Sequence, residues 1–332
     1  MRWQTYERYL RNSLARVLDI PVVGQIFFVI PVGSSTSLFE EWLRNEMDVP
    51  AELIFTTPAL AFAAASANRN DVILFCPGAY VTTASLGWNK DRVHGVGLAG
   101  PRSWSDYSEP GVSIYTVTAG VAEVVNMTGD YCQLHGINMA NNGADSGNLA
   151  AFLLNGYGGL IKGCSFDGAM NTTNDVAAAA AVYVHSNAHD YKFKDCRIGD
   201  ASWWTRDQAN CGQLAFTGTD SYNGLFEECL FQMQSVTAGC CLVRVATTTA
   251  LRLDTIFRKC IFTNQYLNWG ANLNQVFYQN GAQATCRILL EDCKMSGFDE
   301  WQDSDYQKMF QSNMPVATAG GGICIEPTAT IS

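Results

Sequence analysis

From Val93 to Met295 the chain repeats one short arrangement of apolar and polar positions. Five copies are centred on Cys164, Cys196, Cys229, Cys260 and Cys293, spaced 32, 33, 31 and 33 residues apart. In each, apolar residues stand three before the cysteine, at it and two after it, as in Leu225-Phe226-Glu227-Glu228-Cys229-Leu230-Phe231. Val93 to Leu98 and Leu134 to Met139 fit the same frame with Val96 and Ile137 in place of cysteine. Seven copies of one pattern make an internal repeat, and such a period means stacked units. The cysteine and the residue two after it obey strand alternation and point to one side. The step of three back to the preceding apolar residue breaks the alternation, so the chain must bend there with two polar side chains outside.

Strand, bend and strand, with a second strand such as Phe152-Leu153-Leu154 or Val182-Tyr183-Val184 before most frames, describe a parallel β-solenoid of about seven coils. A helical solenoid is excluded by strand-like spacing and by the Gly, Asn, Thr and β-branched content of the repeats. Three inward ladders follow. One runs Val93, Leu134, Ile161, Phe193, Phe226, Phe257, Leu290; the second is the cysteine column headed by Val96 and Ile137; the third runs Leu98, Met139, Phe166, Ile198, Phe231, Phe262, Met295.

The lead-in is built differently. Residues 1–20 form an amphipathic helix or arm with a stripe of Trp3, Tyr6, Leu10, Leu14, Val17 and Leu18. Residues 21–70 hold a strand from Gln25 to Ile30, a helix from Ser37 with Glu40 closing a capping box, and a helix opened by Thr57-Pro58 and continued to Ala67. The solenoid is expected over 71–298, and 299–332 form a C-terminal cap or tail with no repeat frame.

Composition narrows the function classes. Charged residues are 16% and the net charge is −10, an acidic balance that argues against nucleic-acid binding, which needs Lys and Arg at phosphates. A hydrophobic content of 48% excludes disorder. The longest apolar stretch, Ile20 to Val32, is broken by Pro21, Gly24, Gln25 and Pro31, so no membrane span is expected. It also lacks a clean leader pattern, which points to assembly in a cytoplasm. There the cysteines serve as reduced, buried, small hydrophobes. No CxxC pair or Cys/His cluster suggests a zinc site, and no cofactor is expected.

Candidate chemistry weakens in context. Glu227-Glu228 and Glu291-Asp292 look like acid–base pairs of a glycan-cleaving enzyme. Down the stack, however, Lys194, Glu227, Arg258 and Glu291 alternate in sign, and Lys259 stands between Glu228 and Asp292. A cation beside each acid opposes the raised pKa a general acid needs. Gly95-Val96-Gly97-Leu98-Ala99-Gly100 matches a dinucleotide fingerprint by letter, but no helix follows it. His185, His189 and Asp190 give a weak metal signal, and His94 and His135 read as surface residues sharing one outward column. No catalytic residue is therefore assigned.

Interfaces are the better prospect. Arg2, Arg8, Arg11 and Arg16 against Glu7 make the first helix basic in an acidic protein. It either caps the open end of the solenoid or docks, with Trp3, on an acidic partner or neighbouring subunit; membrane association is a third reading. Trp203, Trp204, Trp269 and Trp301 fall in segments read as loops, where aromatics favour protein contacts and can also stack on sugars.

The run Asp71-Val72-Ile73-Leu74-Phe75-Cys76-Pro77-Gly78-Ala79-Tyr80, after a small-residue helix and before Val93 to Gly100, resembles the start of right-handed parallel β-helix proteins with the pectin-lyase-like fold. Within that superfamily it looks most like structural proteins of tailed bacteriophages, and the resemblance spans about residues 22–298. It implies the handedness and a non-enzymatic virion protein: a capsid decoration or cement protein, a homotrimer, bound to the major capsid protein on the capsid exterior. The alternative is a tail-associated spike that binds or cleaves host-surface glycan. The acidic calcium cluster of the superfamily's lyases has no counterpart on the coils.

Overall fold

The alternation within each frame becomes a short strand, and the break in alternation becomes a corner. In the computed structural model, which describes residues 2–32, 37–100, 111–168, 170–200, 205–265, 273–280, 287–302 and 309–312, the chain winds as a right-handed parallel β-helix. Its first sheet has eleven strands and its second and third have eight each. One coil runs Leu160–Lys162 in the first sheet, Ser165–Asp167 in the second and Val182–Val184 in the third, then returns to the first at Lys192–Lys194.

Equivalent residues stack in register. Leu134, Ile161, Phe193, Phe226, Phe257 and Leu290 form one inward column. Met139, Phe166, Ile198, Phe231, Phe262 and Met295 form another. Ring centroids of Phe193, Phe226 and Phe257 follow at 4.9 and 4.8 Å, and Phe231 lies 4.7 Å from Phe262. That is the strand separation itself, about 4.8 Å, so the aromatic stack and the backbone ladder share one repeat.

The corner between first and second sheets turns on the residue before each cysteine. Gly136, Gly163, Asp195, Glu228, Lys259 and Asp292 all adopt positive φ, between 52° and 63°. This left-handed conformation, costly by roughly 1–2 kcal/mol for a residue with a Cβ, swings the next side chain back inward. The cysteine then helps satisfy the corner. The thiols of Cys196, Cys229, Cys260 and Cys293 donate to the carbonyls of Ile161, Phe193, Phe226 and Phe257 one coil earlier, at 3.2–3.6 Å. A small, buried side chain with a weak donor suits that position. All ten described cysteines are buried and free.

The repeat read from sequence fails in its first copy. Gly95, not Val93, pairs with Leu134, and Val96 pairs with His135. Val96 therefore faces outward, and Leu98 is 43% exposed. The cause is Trp88, which fills the interior: a Cβ on Gly95 would sit 3.0 Å from its ring and 2.9 Å from Leu134. Ile114, paired with Tyr80 and Met139, takes the place expected for Leu98.

At the upstream end, Ile26–Val29 pairs with both Ile54–Phe55 and Asp71–Phe75. Helices α1 (Arg2–Leu18), α2 (Ser37–Glu41) and α3 (Pro58–Ala64) surround it. Thr57 caps α3 by accepting from Leu60 N at 3.3 Å, and the helix stops at Ala64 because Ala65 is extended. Phe62 of α3 lies 4.9 Å from the Trp88 ring, so α3 plugs the interior. Helix α1 does not. It lies on the outward side of the first sheet, with Trp3 edge-on to Phe28 at 6.0 Å and its Leu18 carbonyl accepting from Gln133 at 3.0 Å. Val17, expected in the buried stripe, is exposed.

Stacking also continues past residue 298: Phe298–Gln302 joins the third sheet and Met309–Ser312 the first. Residues 313–332 lie outside the described residues.

The column makes a sharp forecast for Cys229. Cys229→Ala should fold and lose about 1–2 kcal/mol with the thiol's packing and hydrogen bond, whereas Cys229→Asp should not fold, because it buries an unpaired charge. Thermal melts followed by circular dichroism check both; a cooperative transition for Cys229→Asp would overturn the inward assignment.

Candidate functional site

The outward side of the first sheet holds most of the residues singled out in the sequence. Its downstream half carries the charge ladder. Register pairs Lys194 with Glu227, Glu227 with Arg258 and Arg258 with Glu291. Glu227 contacts Lys192 at 2.6 Å, Lys194 at 3.2 Å and Arg258 at 3.7 Å, and Arg258 contacts Glu291 at 2.5 Å. Glu228 lies 3.6 Å from Lys194 and 3.9 Å from Lys259. Hydrogen bonding from Lys192, then from Lys194, holds the Glu227 carboxyl at about 2 against its partial burial. A carboxylate so held keeps no proton to donate at neutral pH. Asp195 moves the other way, raised by burial and by the charge of Glu228.

The upstream half is covered by α1. His94 and His135, expected on the surface in one column, are both buried. They are also offset, since His135 pairs with Val96. The helix that sequence placed at the end or on a partner is what buries this face. His135 Nε2 is 2.9 Å from Gln133 Oε1, and Gln133 in turn donates to Leu18. Burial pushes His94 down to about 4, with the charge of His135 adding to the shift and Asp71 opposing it. Burial, then Lys162, pushes His135 to the same value.

The predicted interface residues scatter. Trp3 is core-facing, and Arg11 bonds Glu7 and the Val22 and Gly24 carbonyls. Arg8, Tyr9, Arg16 and Val17 of α1 are all exposed. Trp301 is not an interface residue: it is 1% exposed and edge-on to Phe262 at 5.5 Å, because its segment is a strand and not a loop. Trp203, Trp204, Trp269 and the Arg2 side chain lie outside the described residues.

Three arrangements were not foreseen. Arg206, three residues from the paired tryptophans' first member, is buried and bonds Asp175 at 2.5 Å and the Ala179 carbonyl at 3.0 Å, bracing loop 199–213 against loop 168–181. Asp167 is buried beside Arg197 at 3.2 Å; burial raises it to about 7, with Arg197 opposing and Asp200 adding. Between third and first sheets runs a row of rings. Tyr131 and Tyr157 are 5.1 Å apart, Tyr157 and His189 6.4 Å, and His189 stacks on Tyr222 at 3.8 Å. Arg92 stands over Tyr131, and Asp190 accepts from Asn223 at 2.7 Å. The signal was present: each ring precedes its frame's first apolar residue by three or four positions. His189, suspected of metal binding, reaches the Ser186 carbonyl at 2.9 Å. Among the described residues no three His, Cys, Asp or Glu side chains gather at one point.

Two measurements follow. The folded state holds both histidines near 4 against an ordinary 6.5, so between those values the undocked chain binds more protons. Docking of α1 is therefore complete above about pH 6.5 and weakens as pH falls toward 4. Asp167, raised, works in the opposite direction over the same range, so the readout must be local: protection factors of residues 2–18, exchange relative to the intrinsic rate at each pH, should fall from pH 7 to 4.5 while those of the inner strands hold. Arg206→Met, which removes the guanidinium beside the buried Asp175 carboxylate, should cost roughly 3–5 kcal/mol, read by chemical denaturation; a loss under about 1 kcal/mol would contradict the brace.

No protein-family model and no curated protein matches the chain. Solved structures match in fold. A pectin methylesterase in complex with a hexasaccharide superimposes with a TM-score of 0.51 at 15% identity, over 91% of this chain and 93% of that one. The pectate lyase Pel9A gives 0.52 at 12% identity, over 87% and 76%. ORF18 of Geobacillus virus E2 gives 0.47 at 13% identity, over 77% of this chain and 54% of that one. At these identities the likeness to the two enzymes is one of fold, the right-handed parallel β-helix.

Proposed function

We propose that this chain is a non-enzymatic virion structural protein, a capsid decoration or cement protein. It assembles in the bacterial host cytoplasm, associates as a homotrimer and binds the major capsid protein on the shell's exterior. The reading rests on the resemblance of its solenoid start to phage structural proteins, and one observation carries it: α1 is fastened to the rigid solenoid with Arg8, Tyr9, Arg16 and Val17 turned to solvent. Exposed arginines beside exposed Tyr9 and Val17, on a molecule of net charge −10, are a local exception. Charge of that kind selects and orients an acidic protein surface. The carboxylates that would serve cleavage are instead engaged by lysine and arginine from adjacent coils.

A second reading, a tail spike that binds or cleaves glycan, draws on the Tyr131, Tyr157, His189 and Tyr222 row, since aromatic faces suit sugar rings. Copy number separates the two. Quantitative mass spectrometry of purified particles should find hundreds of copies per shell, whereas a count near six to eighteen would move the protein to the tail. Reversing Arg8→Glu together with Arg16→Glu should cut particle binding at least about tenfold without altering the fold, and Glu228→Gln should leave it unchanged. Loss of a glycan-degrading activity in Glu228→Gln would overturn the structural reading.

A further inference from the structure

The frame cysteines stand in single file on the coils, each thiol engaged by a carbonyl oxygen and those from Cys196 to Cys293 also by their neighbours in the column. Two cysteines outside the frame are placed otherwise. Cys211 and Cys240 belong to successive loops, 199–213 and 234–242, that project from the same side of neighbouring coils. Asn210 N donates to the Gly239 carbonyl at 2.8 Å, and Cys241 N donates to the Cys211 carbonyl at 3.1 Å. These two bonds hold Cys211 and Cys240 side by side on neighbouring coils.

Their sulfurs are already together. The two Sγ atoms are 3.0 Å apart, and both residues are fully buried. Closing that gap to the bonded length of about 2.05 Å takes a movement of roughly 1 Å. The surroundings favour a thiolate at Cys211: the hydrogen bond with Cys240 and then the buried Arg206 guanidinium lower it, against the effect of burial. Cys240 can also direct its proton at the Gln208 carbonyl, 3.2 Å away. Cys241 does not compete, because its thiol points at the Cys211 carbonyl at 3.1 Å.

We infer that Cys211 and Cys240 form an oxidation site, a dithiol that closes to a disulfide between coils when the protein meets a peroxide. The Cys211 sulfur attacks one peroxide oxygen, the O–O bond breaks, and the departing hydroxide leaves as water with the thiol's proton. The Cys240 sulfur then attacks the resulting sulfenic sulfur, its own proton leaving with the hydroxyl as a second water. Two thiols are oxidised and one peroxide is reduced to two waters. The bond would join loop 199–213 to loop 234–242 covalently. Arg206 and Asp175 already tie loop 199–213 to loop 168–181, so three successive loops would become one braced surface.

The test treats the reduced full-length chain with hydrogen peroxide, blocks the remaining thiols, and maps peptides by mass spectrometry without reduction. The expected product has lost the mass of two hydrogens, contains a Cys211–Cys240 linked peptide, and is protected from amide exchange over 205–213 and 234–242. Cys211→Ser and Cys240→Ser should each abolish the link, and Cys229→Ala should keep it. The wild-type map decides even if a serine variant folds poorly. Both thiols remaining alkylatable, a link between frame cysteines instead, or Cys211 reaching sulfinic acid with Cys240 free would each overturn the inference.

Discussion

Everything in this molecule hangs on a corner held at positive φ. Strands only three or four residues long cannot define a solenoid by themselves, since a one-residue slip would turn each inward side chain outward. The residue before each frame cysteine prevents the slip by fixing where the chain reverses its pleat. Conformational cost at Asp195, Glu228, Lys259 and Asp292 is offset because the corner stacks on its neighbour through backbone hydrogen bonds such as Glu228 N to the Arg258 carbonyl, 2.9 Å, and Lys259 N to the Glu291 carbonyl, 2.7 Å. The inward thiol, the outward charge and the aromatic stack are all consequences of that one backbone choice.

The same regularity accounts for the outer surface. Because register is fixed, side chains of opposite sign meet at bonding distance in successive coils, and Glu227 gathers Lys192 and Lys194 from the coil before it and Arg258 from the coil after it. Individually such exposed pairs contribute little. Collectively they leave the downstream face neutral and chemically quiet. The upstream face is apolar and histidine-bearing, and it is closed by α1. A molecule with one face neutralised and another covered is left with its basic helix, its ring row and its loops for contact.

How far the sequence could be read follows from this division. Frames carrying cysteine were legible because identical residues recur at a constant spacing, and their ladders, strands and charge alternation stand as the spacing predicts. The Val93 copy misled because its apolar letters fit the frame while Trp88, a residue outside it, already occupied the interior and required Gly95 there. His94 and His135 were misplaced for a different reason: outward on a strand means exposed only if nothing else covers the sheet, and the path of α1 is a tertiary fact. Trp301 shows the converse error, since the end of the letter repeat was not the end of the stacking. Arg206 and Asp175 lie 31 residues apart in chain. Their pairing depends on how two irregular loops cross, which no local periodicity encodes.

The corners and the loops also differ in what they would tolerate. Segments linking second to third sheets range from the single residue Gly297 and the short 117–122 to the longer 168–181 and 199–213, yet the strands on either side keep the same pairing throughout. Length there is free, whereas the corner before each cysteine admits no extra residue. Foreign peptides grafted into the first kind of segment would be displayed at a fixed pitch of about 4.8 Å per coil, so the solenoid is a ruler on which epitopes could be set at chosen intervals.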